Sequence, residues 1–290
     1  MKPAPFAYHR PGDLEEAISL LAEHGDEASV LAGGQSLLPV LSLRIVRPSH
    51  VIDVNAVPGL DDIGVEDGTL VLGAMVRQRT ALESQVVQSE CRLLAEALPH
   101  VGHPETRNRG TVGGSLVHND PAAEIGAVAV ACDADIVLRS TGGTRTERAA
   151  DFLLAPYMTA KQPDELVVEI RLPRTSASWG WAFEEVARRH HDFALVGVGV
   201  GIEIVDGSVA DARIAFAGAG GTALRAHGAE ALLRGAPPSP EAFADAAQHA
   251  ATEIDPPSDV LASADYRRHV ATVLTKRSLA TAAARSKGDT

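Results

Sequence analysis

At 290 residues the chain is long enough for a sizeable core and for more than one domain. Its 45% hydrophobic and 22% charged residues are ordinary for a globular protein. A net charge of −12 argues against a nucleic-acid surface or an anionic membrane face.

Asp13 to Gly25 (DLEEAISLLAEHG) predicts a helix, with Asp13 as cap, Glu16 as its reciprocal partner and Leu14, Ala17, Ile18 and Leu21 as one apolar stripe. A short strand, Ser29 to Ala32, runs into Gly33-Gly34. Ser36 to Arg44 then reads as two helical turns, with Ser36 as cap and Pro39 in the first turn, where its missing N–H matters little. HVIDV at 50–54 and TLVLGA at 69–74 read as strands, and Glu90 to Leu98 as a helix. The stretch VGHPETRNRGTVGGS reads as a loop, after which Asp120-Pro121 opens a helix whose body is Ala122 to Cys132. Residues 135–139 and 144–148 form a hairpin around Thr141-Gly142-Gly143, and ELVVEIRL at 165–172 is a strand ended by Pro173. Composition shifts near 175–178. Beyond it lie WGWAFEEVA, ALVGVGVGIEI, an Asp206-Gly207 turn and VADARIAFAG, a meander of strands. Helices at 222–234, 240–252 and about 264–284 close the chain.

Two glycine-rich runs carry the chemistry, LAGGQSLLP at 31–39 and RGTVGGS at 109–115. Glycine admits positive φ and lets an anion approach backbone N–H groups without a Cβ in the way. Ser36, Thr111 and Ser115 add hydroxyls, and Asp120 can accept from a sugar hydroxyl. Two such runs suit two backbone grips on a diphosphate-bearing ligand, although Gly-Gly pairs are also common in plain turns. Neither run fits G-x-G-x-x-G or the Walker pattern, so a Rossmann or P-loop site is disfavoured. The residues alone therefore reach a two-loop nucleotide or phosphate site and no further.

Other side chains read as structural. Cys91 and Cys132 are far apart in sequence and outside any C-x-x-C pair, so both are expected to be buried free thiols, with no metal or cluster in this chain. The histidines form no H-x-x-x-H pattern and are expected at surface or loop positions. Asp61-Asp62 and Glu184-Glu185 read as solvated acidic faces. No apolar run approaches a membrane span and the first residues lack a signal-peptide core, so the expectation is a cytoplasmic protein.

The run AGGQSLLP at 32–39, with LR at 43–44, P-x-x-VIDVN at 48–55, LGA at 72–74 and VGHP-x-x-RNRGTVGGSL-x-H-x-DPAAE at 101–124, resembles the FAD-binding medium subunit of molybdenum hydroxylases. These are the flavoprotein partners in aerobic CO dehydrogenase and in nicotine, quinoline and caffeine dehydrogenases, and are similar to the central flavin domain of xanthine dehydrogenase. The resemblance implies an α+β chain. Its first part is a two-subdomain FAD-binding fold of the vanillyl-alcohol-oxidase type (residues 1–55 and 56–175). Its second is a C-terminal antiparallel sheet-and-helix domain of the CO dehydrogenase flavoprotein type (176–290). It implies FAD contacts from Ala32, Gly33, Gly34, Gln35, Ser36 and Leu37, with Gly73 and Ala74 passing close. Thr111, Gly113, Gly114 and Ser115 would form the second grip, Asp120 would lie near the ribose or ribityl hydroxyls, and Asn108 and Arg109 would shape the loop. Phe193, in HDFALVGV at 191–198, would lie over the flavin ring or, equally, fill the core of the sheet. Gln35 cannot form a histidyl–flavin bond, so the FAD is expected to be non-covalent.

The activity implied is that of an oxidoreductase subunit relaying electrons through FAD to an external acceptor, with no catalytic acid–base residue of its own. The molybdenum cofactor and two [2Fe–2S] clusters would sit in a large and a small partner subunit, as a dimer of heterotrimers. Two other readings stay open: a stand-alone flavin-dependent oxidoreductase acting on its own organic substrate, and a non-catalytic nucleotide-binding scaffold without flavin.

Overall fold

The structure, a computed structural model, describes residues 2–286. The chain begins with a small parallel sheet ordered Ala7–His9, His50–Asp53, Ala28–Leu31. Helix Leu14–His24 buries Ala17, Ile18 and Leu21, the apolar stripe its spacing predicts. Asp13 caps it by accepting from the Glu16 amide, whereas the Glu16 carboxylate accepts from Gly12 instead of closing back on Asp13. The helix after the first glycine run is Leu37–Ser42, shorter than expected, and Ser36 makes no capping hydrogen bond, which leaves its hydroxyl free.

The second sheet is antiparallel, in the order Ile63–Glu66, Thr69–Gly73, Leu166–Pro173, Asp135–Ser140, Gly143–Arg148. One face packs on the first sheet through Met75, Val137, Leu166 and Val168. Its other face is covered by helices. The expected helix at 90–98 is present as Arg92–Ala97, preceded across Cys91 by a further short helix, Gln85–Glu90, that the sequence did not signal. The expected loop at 101–115 is largely helical, as Pro104–Arg109 and Val112–His118. Pro104 opens the first of these, and the buried Arg107 guanidinium donates to the carbonyls of Val101 and Gly102. Thr111 caps the second, which ends at Asn119 in the left-handed region. Conversely, Asp120-Pro121 does not start a helix. Asp120 accepts from the Ala122 amide in a tight turn, and the helix proper is Glu124–Ala131.

The last sheet is antiparallel: Trp179–Ala187, Ala194–Val205, Ser208–Ala217 and the short Leu224–Arg225, with helices His227–Leu233, Pro240–Glu253 and Ala264–Ser286 on one face. The pair at 224–225 and the late start at His227 replace the expected helix from 222. The VGVGVG run in Ala194–Val205 has a physical reason. Val196, Val198, Val200 and Ile202 fill the core under those helices, while Gly197, Gly199 and Gly201 face the other way. A Cβ on Gly201 would meet the Trp181 ring at 2.5 Å, and one on Gly197 would meet Phe183 at 3.2 Å. The aromatic rings of the neighbouring strand thus lie across the glycines and join this sheet to the helices of the second unit.

Cys91 and Cys132 are buried free thiols, but they are neighbours in space, with 3.9 Å between sulfurs. No helix of the described residues is long and apolar enough to cross a membrane.

Candidate functional site

A cavity of about 630 Å³ lies between the first two sheets and is reached by the loop at 191–193, just before the strand Ala194–Val205. Both glycine runs line it. The first contributes Ala32, Gly33, Gly34, Gln35, Ser36 and Leu37, and the second Thr111, Gly113, Gly114 and Ser115. Ala74, Asp120 and Phe193 also face it. Gly73 is not part of the wall. A Cβ there would drive into the backbone of Leu60 and Asp61, so this glycine serves the approach of two backbone segments. Phe193 is 68% exposed, which removes it from the sheet core and leaves its ring at the cavity.

The two runs differ in what they offer. Among the described residues, the backbone amides of Gly33, Gly34, Gln35 and Ser36 donate to no protein acceptor. Gly34 has φ +75°, a conformation that swings successive N–H groups to one side. In the second run the amides are already used. Val112 donates to Val76, Gly113 to Ala74, Gly114 to the Thr111 hydroxyl and Ser115 to the Thr111 carbonyl, at 3.0–3.1 Å. This segment therefore presents the Thr111 and Ser115 side chains, not an amide cradle. Its glycines serve packing: a Cβ on Gly113 would lie 2.6 Å from the Ala74 methyl.

Two residues to which the sequence reading gave no role hold the runs together. Asn55 donates to the Ala32 carbonyl at 2.8 Å and accepts from Arg77 at 2.5 Å. Arg77 in turn donates to the Arg109 carbonyl. Asn55 ends the VIDVN motif and was within reach of sequence reasoning. Arg77 had no such signal, because its role exists only once residues 55 and 109 are brought together.

Farther along the wall stand Asp120, Glu124 and Lys161. The other oxygen of Asp120 accepts from the Tyr157 hydroxyl at 3.3 Å. Lys161 donates to the carbonyls of Gln162 and Glu165, and burial pushes its ammonium pKa down. Glu124 is 6% exposed. Burial pushes its carboxyl up to about 7, with the Asp120 charge adding to the rise. Burial also pushes Glu185 up to about 8, with the Glu124 charge adding. Glu185 sits opposite Gly197 on the adjacent strand, and one of its oxygens is buried without a partner. The solvated-face reading thus fails for Glu185, while Glu184 pairs with Arg277 and Asp61 and Asp62 are exposed as expected.

This pair makes stability pH-dependent. Both carboxyls bind a proton more tightly in the folded chain than at the ordinary value of 4.5. Their favourable contribution is fully present below that value and is lost as pH rises through about 7 to 8. Glu185→Gln keeps the neutral shape and removes the titration. Its melting point relative to the parent is expected to rise by about 3 °C or more between about pH 5 and about pH 9. A gap that stays constant across that range would mean that burial does not raise the Glu185 carboxyl in the folded chain.

Residues 4–175 match the family described as the FAD binding domain in molybdopterin dehydrogenase, and residues 181–282 the CO dehydrogenase flavoprotein C-terminal domain. The chain is 39% identical over 285 residues to the carbon monoxide dehydrogenase medium chain of Hydrogenophaga pseudoflava, covering 98% of this chain and 99% of that one. It is 40% identical over 286 residues to caffeine dehydrogenase subunit beta of Pseudomonas sp. (strain CBB1), covering 98% and 97%. A solved carbon monoxide dehydrogenase from Hydrogenophaga pseudoflava, lacking the Mo-pyranopterin moiety of its molybdenum cofactor, superimposes with a TM-score of 0.95 at 41% identity, over 98% of this chain and 99% of that chain.

Proposed function

This chain belongs to the family of FAD-binding medium subunits of molybdenum hydroxylases, and from that premise we propose that it relays electrons from [2Fe–2S] clusters in a partner subunit through FAD to an external acceptor. The observation that carries this reading is the row of uncommitted amides at Gly33–Ser36 in a cavity that also exposes Phe193. Such a row is an anion cradle, suited to a pyrophosphate. The cavity volume lies within the range of cofactor sites. The residues present therefore fit FAD, held without a covalent bond.

When bound, FAD supplies the redox chemistry. The protein's part is placement. Gly33 to Ser36 would hold the pyrophosphate, with Ala32 and Leu37 flanking it. Ser36, Thr111 and Ser115 would add hydroxyl donors, and Asp120 would accept from a sugar or ribityl hydroxyl. Ala74, Gly113 and Gly114 would let the backbone come close, and Phe193 would shield a ring face. The chain is read as three units, 1–55, 56–175 and 176–290.

Its partners would be a large subunit with the molybdenum cofactor and a small subunit with the [2Fe–2S] clusters, assembled in the cytoplasm as a dimer of heterotrimers. The exposed apolar run Leu38, Leu43, Ile45 and Val46, just after the cradle, supports a covered face there.

The test is the visible spectrum of the purified chain. Absorption bands near ~370 and ~450 nm, released by acid as FAD, are expected. A colourless chain that refuses added FAD would overturn the reading. Turnover of an organic substrate by the chain without partners would favour the stand-alone oxidoreductase instead.

A further inference from the structure

Away from the cavity, three histidines converge that are far apart in sequence. His9 ends strand Ala7–His9, His50 begins strand His50–Asp53, and His24 is the last residue of helix Leu14–His24. The parallel register pairs Ala7 with His50 and His9 with Ile52, so His9 and His50 share one face of the sheet, one pleat apart. The helix lies on that same face, with Ala17 and Leu21 packed in one cluster with Ile52. Its last turn therefore delivers His24 to the other two.

The rings are close. His9 Nε2 and His50 Nδ1 are 2.9 Å apart, and the His24 and His50 rings stack with centroids 3.6 Å apart and planes 11° apart. One ring nitrogen from each residue lies within 4.8 Å of the other two. Apart from the His9–His50 contact, these rings make no side-chain hydrogen bond among the described residues. All three are half-buried.

Gathering three basic rings with no carboxylate among them calls for a reason. The end of a helix carries partial negative charge, which favours a cation at His24. Asp26 and Glu27 lie two and three residues further on. A zinc-type ion binds imidazole nitrogen at ~2.0–2.1 Å, which sets tetrahedral donors about 3.3 Å apart. At 2.9 Å the His9–His50 pair needs to open by a few tenths of an ångström to reach that spacing, and rotation of the His24 side chain brings in the third donor. Half-burial leaves the fourth position to water. Imidazole-only ligation suits Zn²⁺, Ni²⁺ or Cu²⁺ and excludes Ca²⁺ and Mg²⁺, which want oxygen.

We propose that His9, His24 and His50 form a binding site for a zinc-type divalent ion that clips the N-terminal strand to the sheet and helix behind the first glycine run. None of the three lines the cavity, so the site is independent of the flavin reading.

The test is calorimetric titration of Zn²⁺ into the full chain, prepared without a polyhistidine tag, beside His24→Ala and His50→Ala. One Zn²⁺ per chain at micromolar affinity is expected, weakened at least about tenfold in either variant. At the same Zn²⁺ concentration the melting point of the parent should rise by several degrees and that of each variant by clearly less. A parent-like circular dichroism spectrum and a cooperative melting transition report that each variant is folded. Parent affinity no tighter than millimolar, or equal affinity in parent and folded variants, would overturn the site.

Discussion

Replacing Gly33 by alanine is expected to yield a chain that purifies without FAD. The added methyl would lie 2.8 Å from the Gly110 Cα and 2.9 Å from the Arg109 carbonyl carbon. Nothing in its path is flexible. The Gly110 amide is tied to the Thr106 carbonyl at 2.7 Å, and the Arg109 carbonyl is held by Arg77. The two runs must therefore separate, and the open amides of residues 33–36 lose their alignment over the cavity. Overpacking of this kind costs about 1–3 kcal/mol, which alone weakens binding by about 5- to 150-fold if it falls wholly on the bound geometry. The measurement is the ratio of flavin to protein absorbance, followed by titration with added FAD. Normal flavin content in the alanine variant would show that the close approach of the two runs is not needed for the cofactor.

Loss of Arg267 should damage the site from a distance. This residue, on helix Ala264–Ser286, is 4% exposed. Its guanidinium donates to the Leu195 carbonyl at 2.6 Å, weakly to the Gly218 carbonyl at 3.4 Å, and to Asp259 at 2.7 Å. Leu195 is two residues beyond Phe193. The Gly218 amide donates at 2.7 Å to Pro121, next to Asp120. One buried cation therefore tethers two segments of the cavity wall to the last helix.

Removing it leaves buried carbonyls unpaired, at a cost of about 2–4 kcal/mol. Arg267→Met, which keeps much of the volume, should lower the melting point by about 4–10 °C and speed flavin release about tenfold. Flavin fluorescence after dilution measures the release. An unchanged release rate alongside a lowered melting point would confine Arg267 to a structural role in the C-terminal unit.

What the sequence made legible depended on the range of the cause. The helix at 14–24 was legible because its stripe and its cap are local. The hairpin at 135–148 and the strands after 179 were legible because turn glycines and apolar alternation mark them. The stretch 101–115 misled because Gly102, Pro104, Gly110, Gly113 and Gly114 punctuate it, and short helices opened by Pro104 and capped by Thr111 look like loop. The glycine runs pointed to the cavity. Their division of labour did not show, since it depends on which amides Val76 and Ala74 consume. Glu185 read as solvated because the helix that buries it begins at Glu124, some sixty residues away. The histidine cluster was invisible to spacing rules, because strand register and helix packing assemble it.

The glycine face of strand Ala194–Val205 has a further consequence. Trp181 and Gly201 are directly paired across the strands, and the indole occupies the space a side chain at 201 would need. The two positions thus hold one shared volume between them. Neither residue's size is a property of its own site. An exchange of bulk between them is open only in one order: the tryptophan must shrink before the glycine can grow. The same holds, less tightly, for Phe183 with Gly197. The seam between the C-terminal sheet and the flavin-binding units therefore constrains the history by which its residues can change as well as their final identities.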